Sequence, residues 1–331
     1  LLASFAGNIV LTLGYTLITS RQAAAMHSKD TILLVMYGLT FCTGIARAFS
    51  GPTSFALVSR LVPAHELPSA ITWHSGSWQV AAVSGPALGG VLYAAAGLTP
   101  TFIGMLLLLI LATLGTLLIS PKPAVSPQRE ESVLESIRQG FRFIRRSSEV
   151  LGALSLDLFA VFFGGATALL PYFSDVILNA GPEGLGLLRS APALGAIVIL
   201  TWVTFSPMKR RQGMAMFLSV AGFGICIIVF GLSRNFWLSF AALFTSGLLD
   251  GVSILVRSTI LQLKTPEEMR GRVASLNSIF IMSSNELGAF ESGFTSRLMG
   301  AVPAVVFGGC MTVLVTIMVW WKAPGLKKLE Y

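Results

Sequence analysis

Long apolar runs occupy most of this sequence and constrain its fold more than any other feature. A helix needs about 20 consecutive apolar residues to cross the hydrocarbon core of a bilayer. Ten candidate runs reach or approach that length, and several exceed it, as tilted helices do. They lie at 1–20, 31–60, 67–97, 99–120, 149–178, 184–205, 213–232, 236–263, 272–299 and 301–321. The sequence therefore predicts an all-α integral membrane protein.

The scarcity of charged residues leads to the same prediction. Asp, Glu, Lys and Arg make up 11 % of the chain, against about 25 % in a typical soluble domain. So few charges cannot cover a water-facing surface of this size. The lipid bilayer is the expected solvent.

Lys and Arg predict the orientation. The net charge of +8 would suggest nucleic-acid binding in a soluble protein, but here the basic residues lie in short loops. With residue 1 placed inside and the spans alternating, 16 of the 23 Lys and Arg fall inside, four outside and three within spans. The positive-inside rule then places the C-terminus in the cytoplasm. We expect a multi-pass protein of a bacterial inner membrane that binds no nucleic acid.

One connection is much longer than the others and divides the chain. Within 121–148, a charged stretch carries Val133, Ile137 and Phe141 at spacings of four, which predicts an amphipathic surface helix between 130 and 147. The predicted organisation has four parts, listed in order: 1–120 with four spans, the 121–148 linker, 149–322 with six spans, and a cytoplasmic tail at 323–331.

An internal repeat with a shift of 203 residues supports this division. The shift places Pro63 on Pro266, Ser75 on Ser278, Gly85 on Gly288 and Gly90 on Gly293. Parallel six-helix repeats are a transporter architecture. The chain also begins inside an apolar run without a methionine. We therefore expect about ten helices of twelve, with two spans preceding Leu1.

Three motifs make the chain resemble the major facilitator superfamily. Gly85-Pro86-Ala87-Leu88-Gly89-Gly90 resembles the fifth-helix motif of antiporters, although Ala81 replaces an expected glycine. Arg47 and Gly51 match an Arg-x-x-x-Gly pattern of the fourth helix. The third and most specific stretch resembles the branch that includes the enterobactin exporter. It comprises Asp250 to Arg257, Thr265 to Val273, Asn285 to Gly288 and Glu291 to Gly293.

The resemblance implies a two-bundle secondary transporter that works by alternating access. It implies a monomer that exports a siderophore or a drug-like amphipathic solute in exchange for protons. The conformational motif would consist of Gly85, Pro86, Gly89, Gly90, Gly288 and Gly293, and the cytoplasmic gate loop of Arg270, Gly271 and Arg272.

Asp250 and Arg257 are charged residues within one predicted span, where a charge needs a partner or a wet cavity. Seven residues separate them, so they project from nearly the same face about 10 Å apart along the helix. They are too distant to pair with each other. For Asp250 the alternatives are a substrate or proton site and a structural charge pair. For Arg257 they are a substrate or gating role and a structural salt bridge.

Four further charges within predicted spans are candidate functional residues. Glu286 and Glu291 are about 140° apart around one helix, so at most one of them faces a central cavity. Asp157 is either a buried carboxyl that carries a proton or a charge that snorkels to the headgroups. Arg47 either attracts an anionic substrate or neutralises a carboxylate.

No enzyme motif is recognisable in the sequence. It has no phosphate-binding Gly-x-x-x-x-Gly-Lys-Ser/Thr loop and no His-Glu-x-x-His pair, so we expect no nucleotide, metal or other cofactor. A membrane protein that does not transport, such as a receptor or an inactive truncated relative, is the alternative from a different class.

Overall fold

The fold is described from a computed structural model that covers residues 1–63, 66–120, 133–205 and 211–327. Those residues are almost entirely helical and include no strand. Parts of three predicted segments lie outside them: the start of the linker at 121–132, the basic residues Lys209 and Arg210, and the end of the tail at 328–331.

The chain divides into two compact units, Leu1–Gln128 and Arg129–Tyr331. The helices of unit 1 are α1 Leu2–Ile18, α2 Arg21–Met26, α3 Lys29–Leu61, α4 Leu67–Ala96 and α5 Leu98–Leu117. Those of unit 2 are α6 Val133–Arg146, α7 Ser148–Gly164, α8 Leu170–Tyr172, α9 Gly181–Phe205, α10 Gln212–Leu232, α11 Phe236–Lys264, α12 Glu267–Met299, α13 Ala301–Lys322 and α14 Pro324–Lys327.

All ten predicted spans fall on helices, and the prediction of an all-α membrane fold is confirmed. Among the described residues, seven helical segments are long and apolar enough to cross a bilayer. Helix α1 is shorter, with 17 residues. Among the described residues, Val80–Ala96 of α4 is also a shorter apolar helical segment. Helix α12 carries several charged residues along its 33 residues, which lowers its mean hydropathy.

Unit 1 is built around α1, which packs against α3 and α5. The Tyr15 ring stacks on Phe102 with centroids 5.0 Å apart, and its hydroxyl lies 2.9 Å from Thr40 Oγ1. Where α1 ends, Thr99 Oγ1 donates a hydrogen bond of 2.7 Å to the carbonyl of Thr19. Helix α4 packs against α3 and α5.

Unit 2 is held together by close helix contacts at glycines. Gly195 and Gly247 bring α9 and α11 together so tightly that a methyl group on either would collide with the opposite backbone. A Cβ on Gly224 of α10 would lie 2.9 Å from the carbonyl oxygen of Gly309 on α13. Lipid gives apolar helices no hydrophobic drive to associate, so van der Waals contact between closely spaced backbones is a main source of stability.

The span predicted at 149–178 is one segment with a broken helix. Helix α7 ends at Gly164, and a 3₁₀ turn, a short helix containing Pro171 and a π turn continue to Ile177. Proline lacks the amide hydrogen that a regular helix needs. The carbonyl of Gly165 accepts a hydrogen bond of 3.2 Å from Ser292 Oγ on α12. Such cross-helix bonds let irregular backbone exist at membrane depth.

Helix α6 lies within the segment where an amphipathic surface helix was predicted. Ile144 is 1 % exposed and packs with Val273 and Leu276 of α12. Ile137, two turns earlier on nearly the same face, and Phe141 are exposed. The C-terminal half of the helix is therefore docked onto α12 and α7.

The start predicted for the helix at 272 was wrong, and the predicted tail contains a short helix. The segment 264–271 is mostly helix, because α12 begins at Glu267 immediately after Pro266, and proline is well tolerated at a helix start. The predicted tail begins with α14, where Leu326 is fully buried against the Gly152 region of α7. The apolar surface of Leu326 keeps that part of the tail on the bundle.

Candidate functional site

An ion pair between α7 and α11 lies in the interior of unit 2. Arg257 Nη1 pairs with Asp157 Oδ2, and their side chains are 4 % and 8 % exposed. The interpretation of Arg257 as one half of an interhelical salt bridge is thus supported by its geometry. The alternative in which Asp157 snorkels to the headgroups is wrong, because Arg257 compensates its charge within the bundle.

The guanidinium of Arg257 is only partly satisfied. Its Nε is buried and has no hydrogen-bond partner among the residues that the structure describes. Removing a charged group from water costs several kcal/mol unless its hydrogen bonds are replaced. The free N–H at Nε leaves Arg257 able to donate a hydrogen bond to a second partner.

A second ion pair joins the same two helices near their ends. Lys264 Nζ lies 3.8 Å from Glu149 Oε1. Asp157 is eight residues beyond Glu149 on α7, and Arg257 is seven residues before Lys264 on α11. At 1.5 Å per residue both lie about 10–12 Å from the Lys264–Glu149 pair, so the two antiparallel helices hold Asp157 and Arg257 at the same height.

Asp250 lines a small cavity between α7, α10 and α11. The cavity has room for about one water molecule, and its lining includes both Asp250 and Asp157. The hydroxyl-bearing residues Ser219 and Ser253 also line it. Within the described chain Asp250 has no hydrogen-bond or ion-pair partner. The structure therefore brings Asp157, Asp250 and Arg257 into one charged cluster.

The other charged candidates lie outside this cluster. Glu291 is partly buried and accepts a hydrogen bond of 2.8 Å from Thr295 Oγ1 on its own helix. Glu286 has an exposed side chain on α12. Arg47 lies on α3 of unit 1 and is also exposed. Transport roles for these three residues stay predictions.

The glycines of the predicted conformational motif have different surroundings. A Cβ on Gly288 would lie 2.8 Å from the carbonyl oxygen of Phe162, so α12 and α7 approach closely there. Gly85, Gly89 and Gly293 have open space at the corresponding position within the described chain. Gly90 and Pro86 lie inside α4. Equivalence of Gly85 and Gly288 in a repeat stays a prediction.

The predicted gate residues belong to a helix rather than a loop. Arg270, Gly271 and Arg272 lie in the first turns of α12. Arg272 Nη1 donates a hydrogen bond to Gln139 Oε1 of α6, and Gln139 Nε2 donates one of 3.4 Å to Glu135. Arg272 therefore connects the amphipathic helix to α12, while a gating role for these residues stays a prediction.

Two important features of unit 2 were not predicted from the sequence. One is the direct pairing of Asp157 with Arg257, since sequence alone does not give the relative height of two helices. The other is the tight glycine contacts outside the motifs, at Gly195, Gly224, Gly247, Gly308 and Gly309. In the sequence, the signal for these contacts is the recurrence of glycine along apolar runs, because small residues let membrane helices approach closely. Among the described residues, no group of His, Cys, Asp and Glu has metal-binding geometry.

Comparison with known proteins supports the resemblance seen in the motifs. The family model described as Major Facilitator Superfamily matches residues 2–289. An enterobactin exporter, EntS, from Citrobacter koseri is 28 % identical over 298 residues, which cover 90 % of this chain and 71 % of that protein. The EntS of Shigella boydii serotype 18 is also 28 % identical, over 86 % of this chain and 68 % of its own.

Solved transporters share the fold at low sequence identity. A POT family transporter in complex with 5-aminolevulinic acid has a TM-score of 0.73 at 13 % identity, covering 98 % of this chain and 82 % of its own. A bacterial homologue of the human lysosomal transporter Spinster has a TM-score of 0.64 with the same coverage of both chains. On the family match and this fold, the chain belongs to the major facilitator superfamily, whose members are transporters and not enzymes.

Proposed function

We propose that this protein exports a small amphipathic solute across the inner membrane in exchange for protons. The observation that carries the proposal is the charged cluster of unit 2, in which Asp250 lines a water-sized cavity without a partner among the described residues. A proton-coupled exporter needs a carboxyl that alternately binds and releases a proton. Asp250 is the best candidate, because its position within α11 is roughly midway between Phe236 and Lys264.

The proposal of export draws on the curated relatives. Two of them are named as exporters of enterobactin, at 28 % identity. A siderophore, or a drug-like solute with similar aromatic and polar parts, is therefore the first substrate class to test. No nucleotide-binding loop is present in the sequence, so the transport energy would come from an ion gradient.

Reconstitution of the full-length protein in proteoliposomes tests the proposal. With the lumen made acidic and the protein oriented with its cytoplasmic side outward, we expect enterobactin or an amphipathic cation to accumulate inside. A pH-sensitive dye in the lumen should report alkalinisation when solute is added. Dissipating the pH gradient with nigericin should abolish accumulation. Accumulation that ignores the gradient for every solute in the panel would exclude proton exchange.

Asp250→Asn removes the carboxyl that is proposed to couple transport to protons. The amide cannot bind and release a proton, so uphill transport should collapse while solute exchange without a gradient persists. Exchange of labelled for unlabelled solute measures the second property in the same vesicles. Asp175→Asn is the matched control, because Asp175 is exposed near the end of its span and lies outside the cavity. Wild-type uphill transport by the Asp250→Asn variant would remove Asp250 from the coupling mechanism.

A further inference from the structure

Arg257 has one paired carboxylate and one unused donor group. It pairs with Asp157, and its Nε has no hydrogen-bond partner in the described chain. Side chains of an α-helix tilt toward its N-terminus, which on α11 is the direction of Asp250. Asp250 and Arg257 are about 10 Å apart along the helix axis, a gap that the long side chain of Arg257 partly spans.

Asp157 and Asp250 lie at different distances from the Glu149–Lys264 end of helices α7 and α11. Asp157 is about 12 Å from the Glu149–Lys264 end of the two helices, and Asp250 is about 21 Å from it, taking 1.5 Å per residue. Both line one cavity with room for about one water molecule. Because both acids contact that cavity, water in it can carry a proton along the path between them.

Charge balance lets Arg257 determine which of the two acids holds the proton. One guanidinium neutralises one carboxylate, so the cluster is neutral when exactly one of the two acids carries a proton. The pairing of Arg257 with Asp157 favours the proton on Asp250. A shift of Arg257 toward Asp250 would leave Asp157 as the carboxylate to be protonated.

The structure assigns Asp157 and Asp250 to a two-station proton relay in which Arg257 exchanges partners. In the transfer, the O–H bond of Asp250 breaks, a new O–H bond forms on Asp157 through the intervening water, and the ion pair moves from Asp157 to Asp250. The proton advances about 10 Å toward the Glu149–Lys264 end, which the positive-inside rule places in the cytoplasm. The relay rests on the proposed proton exchange and specifies its path within unit 2.

Other charged groups on the surrounding helices do not line this cavity. Helix α9 carries Glu183 and Arg189, both exposed, and α10 carries the thiol of Cys226. The charged residues of α12 and α13 include Glu291, which bonds Thr295, and Lys322 at the end of α13. Asp157 and Asp250 are the titratable groups in its lining.

The test compares two double variants that alter ion pairs between the same two helices. Asp157→Asn with Arg257→Gln replaces both members of the inner pair by amides, so neither is left as a charge without its partner. Glu149→Gln with Lys264→Gln does the same to the outer pair. We expect the first variant to lose gradient-driven accumulation and luminal alkalinisation while retaining solute exchange, and the second to keep all three.

Failure of the relay is distinguishable from failure of the proposed function. If wild-type protein is proton-driven and the Asp157/Arg257 variant is too, the relay is overturned and proton exchange stands. If wild-type transport ignores the gradient, proton exchange itself fails. Should the double variant also lose solute exchange, Asp157→Glu decides: the relay requires the pH profile of uphill transport to shift, and an unchanged profile overturns it.

Discussion

Single glycines decide how closely the helices of unit 2 approach one another. Gly247 of α11 faces the backbone of Pro192 on α9, where even a methyl group would collide. Gly293 of α12 faces open space in the described chain. Both are helical glycines, so replacing either by alanine gains up to about 1 kcal/mol of helix propensity. Only the Gly247 substitution forces two helices apart.

We expect Gly247→Ala to destabilise the protein by about 1–3 kcal/mol, the usual cost of overpacking a tight contact. Gly293→Ala should be neutral or slightly stabilising. Thermal unfolding in detergent, followed by tryptophan fluorescence, compares the two variants directly. Equal unfolding temperatures would mean that the α9–α11 contact is looser than the structure indicates.

Among the elements, α6 is buried at its C-terminal half and exposed two turns earlier on nearly the same face. Ile144 is 1 % exposed and Ile137 is 42 % exposed, although both are isoleucines on the same helix. Gly140 allows the close approach to Leu276 of α12, and Arg272 adds a hydrogen bond to Gln139. Apolar burial and one polar contact together hold α6 on the rest of unit 2.

Ile144→Ser should detach α6, because removing a buried isoleucine side chain costs about 2–5 kcal/mol. Ile137→Ser makes the same change at a position that is 42 % exposed and should leave the docking intact. Hydrogen exchange of 133–146 measures the difference: protection should fall in the first variant and persist in the second. Similar protection in both would show that Arg272, rather than the apolar face, holds the helix.

The helices themselves could largely be predicted from the sequence, because an apolar run of sufficient length has few alternatives in lipid. The helix interruption near Gly165 and Pro171 was harder, since membrane helices often tolerate glycine and proline. The start of α12 at Glu267 was missed because its charged first turns are not apolar. Pairing of Asp157 with Arg257 depends on the axial positions of α7 and α11, which tertiary packing sets.

For the whole molecule, the sequence makes a testable prediction of membrane orientation. The distribution of Lys and Arg places α6 and the α11–α12 connection in the cytoplasm, and the α10–α11 connection outside. The structure describes exposed residues on both predicted sides, Arg145 on α6 and Arg234 before α11. Cys42, Cys226 and Cys310 form no disulfide, so a labelling experiment must begin from a background without them.

In that background, Arg234→Cys should react with a membrane-impermeant maleimide added to intact cells. Arg145→Cys should react only after the membrane is permeabilised, because the reagent cannot reach a cytoplasmic thiol. Each variant removes one basic residue and leaves most of the charge bias, so neither should invert the protein. The reverse labelling pattern would contradict the orientation. It would also reverse the proposed relay, since the Glu149–Lys264 end would then face outward and a proton passing from Asp250 to Asp157 would leave the cell.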